Sequence, residues 1–144
     1  MQIKINQIPI KSEDYNEELN LRNEVLRKPL GRSLFDENLD AEIHDFHIGA
    51  YSNQKLIAVL VLTKIDNNTL KMRQVAVDQA FQSQKVGSQL VIFAENFAKK
   101  SGYNTLVLNA RSTAVGFYTK LGYKTISDEF TEVGIPHFKM KKTL

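Results

Sequence analysis

Residue types and spacing first suggest chemistry in the stretch Met72–Gly87, MRQVAVDQAFQSQKVG. Strand formers run to Val77, a polar loop covers Asp78 to Ser83, and a helical pattern opens at Lys85. The N-terminus of a helix offers unpaired amides and about half a positive charge, so a phosphate placed there gains hydrogen bonds and dipole stabilisation. Gln82, Ser83, Gln84, Lys85, Val86, Gly87 and Ser88 are therefore candidates for an anion site. Lys85 brings a full charge, and Gly87 opens the first turn to close approach at a helix-propensity cost of about 1 kcal/mol. A glycine merely tolerated near a helix end is the plainer alternative. The second stretch is Asn109–Lys124, NARSTAVGFYTKLGYK, a short helix pattern carrying two adjacent aromatics, Phe117 and Tyr118. Ala114, Phe117, Tyr118 and Leu121 recur at three- and four-residue steps, which suits the core face of a short helix. Asn109 is at least a polar residue where a strand ends.

The elements that must position these residues follow from periodicity. Residues 2–8 alternate as a half-buried strand. Ser12 with Glu13 and Asp14 reads as the capped start of a helix through Arg27, stopped by Pro29 and Gly31. Residues 45–52 and 54–65 are two strands divided by the polar turn Ser52-Asn53-Gln54, and 67–79 is a third, giving three antiparallel strands in a row. Residues 85–102 form an amphipathic helix with Gly102 as its C-terminal cap. A strand over 104–109, the short helix, and strands over 123–130 (YKTISDEF) and 137–142 complete an α+β order. The stretch 29–45 shows the least pattern.

Composition narrows the function classes. The chain has 144 residues, which suits one domain with one core. No apolar run approaches the roughly 18 residues that span a bilayer, and the opening MQIKINQIPIKSEDYNEE builds no signal-peptide core, so a cytoplasmic protein without a membrane partner is expected. The absence of cysteine removes disulfides, thiolate metal sites and thiol nucleophiles. His44, His47 and His137 lack metal-ligand spacing, and no metal is expected. A formal charge of +3 comes from scattered basic residues, so anionic partners are favoured only weakly and nucleic acid is not the expected ligand.

The order of elements together with these motifs resembles the GNAT superfamily of acetyl-CoA-dependent N-acetyltransferases. That family's pyrophosphate loop reads Gln/Arg-x-x-Gly-x-Gly/Ala. Here Gln82-Ser83-Gln84-Lys85-Val86-Gly87 matches the first and last positions and departs at Lys85, where the family has glycine. AVGFYTKLGY is similar to the family's second signature, a short aromatic helix followed by Leu-Gly-Tyr/Phe. GIPHFKM and LRNEVLR are similar to a branch of small bacterial members, the ElaA-like proteins. The resemblance covers nearly the whole chain.

It implies a central mixed, mostly antiparallel sheet of six to seven strands flanked by about four helices, with two central strands splayed apart. The pantetheine arm of acetyl-CoA would lie in that splay, against the backbone of Val75, Ala76 and Val77 and beside Asn109, with Phe117 packing nearby. It implies Tyr118 as the general acid for the departing CoA thiolate and a primary amine as acceptor. A base must then take a proton from the ammonium; His137 is the candidate, with a surface or structural role as the alternative. Asp36 and Glu37, with Asp40, would draw a cationic acceptor, or are a solvated acidic loop. Many members pair, so a homodimer is among the arrangements implied. The reading from another class is a non-catalytic CoA-binding sensor or interaction module of the same fold, suggested by the altered loop at Lys85.

Overall fold

The computed structural model describes residues 2–82 and 84–144. After β1 (Lys4–Gln7), Ser12 caps α1 (Glu13–Arg22): its Oγ accepts the Tyr15 amide at 3.2 Å, and Glu13 and Asp14 occupy the first turn. The helical pattern of 13–27 is not one α-helix. Beyond Arg22 the backbone widens into a π-helical turn over Asn23–Arg27, then tightens into a 3₁₀ turn over Lys28–Leu30. The wider turn rotates the side chains that follow it relative to an α-helical continuation, and Arg27 ends up facing the sheet's central cleft. The weakly patterned stretch holds two short 3₁₀ turns, Leu34–Asp36 and Asp40–His44.

The remaining elements are β2 (Phe46–Ser52), β3 (Lys55–Lys64), β4 (Thr69–Val77), α2 (Val86–Lys100), β5 (Thr105–Arg111), α3 (Val115–Lys120), β6 (Lys124–Thr125), β7 (Phe130–Glu132) and β8 (Ile135–Thr143). They make one mixed sheet ordered β1-β2-β3-β4-β5-β8-β6, with β7 also on β8; the β4–β5 pair is parallel and the others antiparallel. Eight strands stand where six to seven were expected, and three α-helices plus π and 3₁₀ turns where about four helices were. The difference arises in YKTISDEF. Ser127 Oγ accepts the Lys139 amide at 2.9 Å, replacing a backbone acceptor in the ladder. The ladder is interrupted there, and pairing with β8 resumes as β7 at Phe130.

Two apolar layers flank the sheet. On one face α2 and α3 bury Val86, Leu90, Ala94 and Tyr118 against Leu62, Leu70, Leu106 and Met140. On the other, α1 and its π turn pack Tyr15, Leu21 and Val25 on Ile8, Val59 and Ala76. Gly102 follows α2 at φ 92°, the left-handed cap expected of it. Within β4 the inward phase slips: Leu70 and Met72 face the α2 layer, then Val75 and Val77 do, one residue out of step. The register shows the extra residue, since Val61 opposes Arg73 whereas Val59 opposes Ala76, and Gln74 in between takes φ 57°. This is a β-bulge, which bends and twists its strand.

A buried charge cluster holds the 3₁₀ turn Asp40–His44 against α1 and β2. Arg22 Nη1 donates to Glu18 Oε2 at 2.9 Å and Glu42 Oε1 at 2.7 Å, and Nη2 to Glu42 Oε2 at 2.8 Å. His47 Nδ1 lies 2.8 Å from the Glu18 carboxylate and Nε2 2.8 Å from the Glu42 carbonyl oxygen. Both partners only accept, so both ring nitrogens carry protons and His47 is an imidazolium. Burial opposes that charge, but the Glu18 hydrogen bond and charge, with those of Glu42, raise the His47 pKa above its ordinary value. Glu18, Glu42 and His47 offer donor atoms within 4.8 Å of one another, as a cation site would, yet the Arg22 guanidinium already holds both carboxylates. Removing it in Arg22→Ala strands two buried carboxylates and is expected to cost about 3–5 kcal/mol in urea unfolding. Because the folded pKa of His47 is raised, its stabilisation is complete below the unfolded pKa of about 6.5 and is lost as pH rises through the folded value. The thermal midpoint should fall on the alkaline side of neutrality, and a His47→Gln variant should flatten that slope.

Candidate active site

The β4–β5 pairing runs from Thr69↔Thr105 to Met72↔Leu108 and stops. Beyond it β4 stays on β3 as far as Val77, while β5 stays on β8 as far as Arg111. The two strands therefore part at the Gln74 bulge, and the β5-facing backbone of Val75, Ala76 and Val77 has no strand partner. Buried backbone polar groups need partners, so this edge suits an amide-bearing ligand able to act as a strand. A cleft of about 700 Å³ opens at the split. It is reached from both sides of the sheet, because Arg27, Leu30 and Asp36 line it from the α1 side and Ala114 and Tyr118 from the α3 side.

Tyr118 sits at this junction. Its ring is buried, edge-on to Phe117 at 4.9 Å and to Tyr123 at 5.7 Å, and lines the cleft. Burial pushes its pKa up to about 12, so the phenol keeps its proton at neutral pH and is suited to donate it. The ring thus faces the core and lines the cleft at once, so packing and proton donation are compatible at this position. Phe117 does not line the cleft. It packs at the start of α2, where a Cβ on Gly87 would lie 3.4 Å from Phe117 Cζ; Gly87 thus lets α3 approach the loop closely.

The loop ahead of α2 keeps the geometry of an anion site. Lys85 is the N-cap residue at φ 61°, the left-handed conformation that glycine adopts most easily. Among the described residues no side chain caps the helix, its first turn contains no acid, and the amides of Val86, Gly87 and Ser88 lack intrahelical acceptors. Gln82 is exposed, and its Nε2 donates to the Val77 carbonyl at 3.0 Å, tying the loop to the strand end. Gln84 is exposed, and Ser83 lies outside the described residues.

Across the cleft, His137 is buried on β8. Its Nδ1 lies 2.8 Å from the Ile135 carbonyl oxygen and so is the protonated nitrogen, which leaves Nε2 turned toward Glu132 Oε2 at 3.4 Å. Phe130 stacks on the ring. Asn109 Nδ2 donates to the other Glu132 oxygen at 3.4 Å, so one carboxylate joins two of the expected site residues. Glu37 is not an open acceptor-binding acid. Arg27 grips it through Nε at 2.6 Å and Nη2 at 3.2 Å, which lowers the Glu37 pKa, and the same Nη2 reaches Gln74 Oε1 at 3.2 Å. Asp36 lines the cleft and is exposed, while Asp40 starts a 3₁₀ turn and does not line it. Sequence reasoning missed Arg27, Gln74 and Glu132. Only Gln74 had a signal, the phase slip within its strand; the other two reach the cleft through the π turn and the β7–β8 hairpin.

Residues 11–144 match the family model described as an acetyltransferase (GNAT) domain. The Bacillus subtilis uncharacterized N-acetyltransferase YjcF is 30% identical over 123 residues, spanning 85% of this chain and 87% of that protein. Of two other curated Bacillus subtilis relatives, 33% identical, the chain spans 65% and 55% of their length. Among solved structures, Escherichia coli ElaA superposes with a TM-score of 0.84 at 22% identity, covering 98% of this chain and 99% of that one. A GNAT family acetyltransferase from Elizabethkingia anophelis with acetyl-CoA bound gives 0.74 at 22% identity, covering 99% and 98%. A family match over nearly all of the sequence, on a sheet whose central strands part beside an uncapped helix, makes this chain a member of the GNAT acetyltransferase family.

Proposed function

We propose that this protein transfers the acetyl group of acetyl-CoA directly to a primary amine, with both substrates held in the cleft between β4 and β5. The observation that carries the reading is the parting of those strands beyond Met72 and Leu108, with Tyr118 lining the cleft they leave. Acetyl-CoA supplies an activated thioester; the chain supplies position and protons. The diphosphate is met by the uncapped amides at the start of α2 and by Lys85. The unpaired edge at Val75, Ala76 and Val77 takes the amide-bearing arm as a strand, and an N–H of that edge polarises the thioester carbonyl. Tyr118 holds a proton for the departing sulfur, and His137 Nε2 accepts one from the incoming ammonium, after which the imidazolium is stabilised by the Glu132 carboxylate 3.4 Å away.

Lys85 adopts the left-handed conformation that glycine takes most easily, which supports an anion-accepting loop despite the side chain that suggested a non-catalytic binding module. Release of CoA thiol with a panel of amines separates the two readings, because only the enzyme turns over. Tyr118→Phe should lower kcat by about 100-fold while leaving CoA affinity within about twofold; an unchanged rate removes Tyr118 as the acid. Lys85→Gly should preserve folding stability and weaken CoA binding about fivefold at low salt, an effect lost at high salt. Lys85→Val, β-branched at a left-handed position, should cost about 1 kcal/mol of stability in urea unfolding.

A further inference from the structure

We infer that the amine acceptor is an acidic peptide, held by a track of cations that the strand register assembles on the open half of the sheet; this rests on the transfer reaction proposed above. In β4, β5, β8 and β6, Lys71 pairs with Val107, Val107 with Lys141, and Lys141 with Lys124, so these four residues share one face. It is the face on which α1 packs, but α1 reaches β3 and β4, while α2 and α3 lie on the opposite side. Lys124, Lys139 and Lys141 are exposed there. Lys139 stands opposite Asn109, and at the next step Arg111 stands opposite His137 in the cleft. The basic residues that look scattered along the sequence thus form one lane, from the outer strands into the site.

The charges along it are open. Among the described residues Arg32, Lys71 and Arg111 in the cleft, and Lys124, Lys139 and Lys141 beyond it, have no carboxylate within the 4.0 Å reach of the ion pairs found elsewhere in the chain. Three acids on this side are already engaged, Glu37 with Arg27, Asp45 with Arg73 at 4.0 Å, and Glu132 with His137 and Asn109, whereas Asp36 is exposed in the cleft. Of the two acids expected to draw a cationic acceptor, Glu37 is neutralised in place by Arg27. What remains near the reacting groups for an ammonium is Asp36 and the Glu132 carboxylate, and what surrounds them is positive.

Spacing favours an extended polypeptide. Lys139 and Lys141 are about 7 Å apart along β8, the repeat of alternate side chains on an extended chain, and the three steps from Arg111 to Thr105 give about 20 Å of track. Chemistry points the same way. An acidic peptide carries an aliphatic amine at its N-terminus, and unmodified nucleic acid carries none. Base stacking would also need aromatics along the lane, whereas Phe130 and His137 stack on each other at its end. Self-association through this face would oppose lysine to lysine.

The test uses two lysine-free peptides with free N-termini, one with glutamate and one with glutamine at alternate positions, assayed for CoA thiol release. The glutamate peptide should have a kcat/KM about tenfold higher at low salt, and the gap should close at high salt. In the double variant Lys139→Glu/Lys141→Glu the preference should vanish through a rise in KM for the glutamate peptide of about fivefold or more, with acetyl-CoA affinity unchanged. Equal use of the two peptides, or a preference that survives the charge reversal, overturns the inference while leaving the transferase reading intact. Fluorescence anisotropy of a labelled, N-terminally blocked glutamate peptide reads the surface without chemistry: salt-sensitive binding with no turnover of any amine supports the track and sinks the transferase reading. Tighter binding of a single-stranded oligonucleotide, or a dimer that the double variant dissociates, overturns it as well.

Discussion

At Gln74 the backbone of β4 makes a left-handed step, φ 57°, inside what is otherwise regular strand. A non-glycine residue in that region costs about 1 kcal/mol or more and persists only where its surroundings hold it. Here they do so from two sides. Antiparallel pairing to β3 resumes at Ala76 after the extra residue, and the Gln74 carboxamide oxygen accepts from Arg27 Nη2 at 3.2 Å. The bulge turns β4 away from β5, and the split it creates gives the cleft, the unpaired edge and the passage by which Tyr118 on one side of the sheet meets Arg27 and Asp36 on the other.

The residues around the split are held by polar contacts rather than by apolar packing alone. Arg27 reaches its position through the π turn after α1 and bridges Glu37 and Gln74, tying the 29–45 stretch to the bulge. Behind it, the four charges of Glu18, Arg22, Glu42 and His47 fix the second 3₁₀ turn of that stretch to α1 and β2. Such a cluster adds little net stability compared with apolar residues of the same volume, but breaking any part of it is costly, so it favours one arrangement over others. A segment with almost no apolar periodicity thereby becomes a defined wall of the cleft.

The same geometry separates two electrostatic regions. At the start of α2 the helix end and Lys85 present a compact positive site on the loop. On the far side of the split, the open sheet face presents cations spread at strand spacing. In the proposed reaction the compact site would take the diphosphate and the spread one a chain of carboxylates, so the two substrates would approach from different directions without competing for the same charges.

The sequence by itself determined what depends on short-range pattern. The amphipathic run over 85–102, the Ser12 cap and the strands up to residue 109 are local consequences of residue order, and each appears within a few residues of where periodicity puts it. The bulge was not read from it, although Met72 and Val75, three positions apart and facing the same layer, carry its phase slip. Tertiary structure alone decided which polar residues meet. Glu132 reaches His137 and Asn109 only because Ser127 interrupts a strand that periodicity draws as continuous, letting β7 pair with β8 beside the cleft. Glu37 is neutralised by a residue ten positions earlier, and lysines distant in the chain become neighbours across strands. Charge acts through space over a few ångströms, whereas spacing along the chain reports only neighbours within a helical turn or a strand pair.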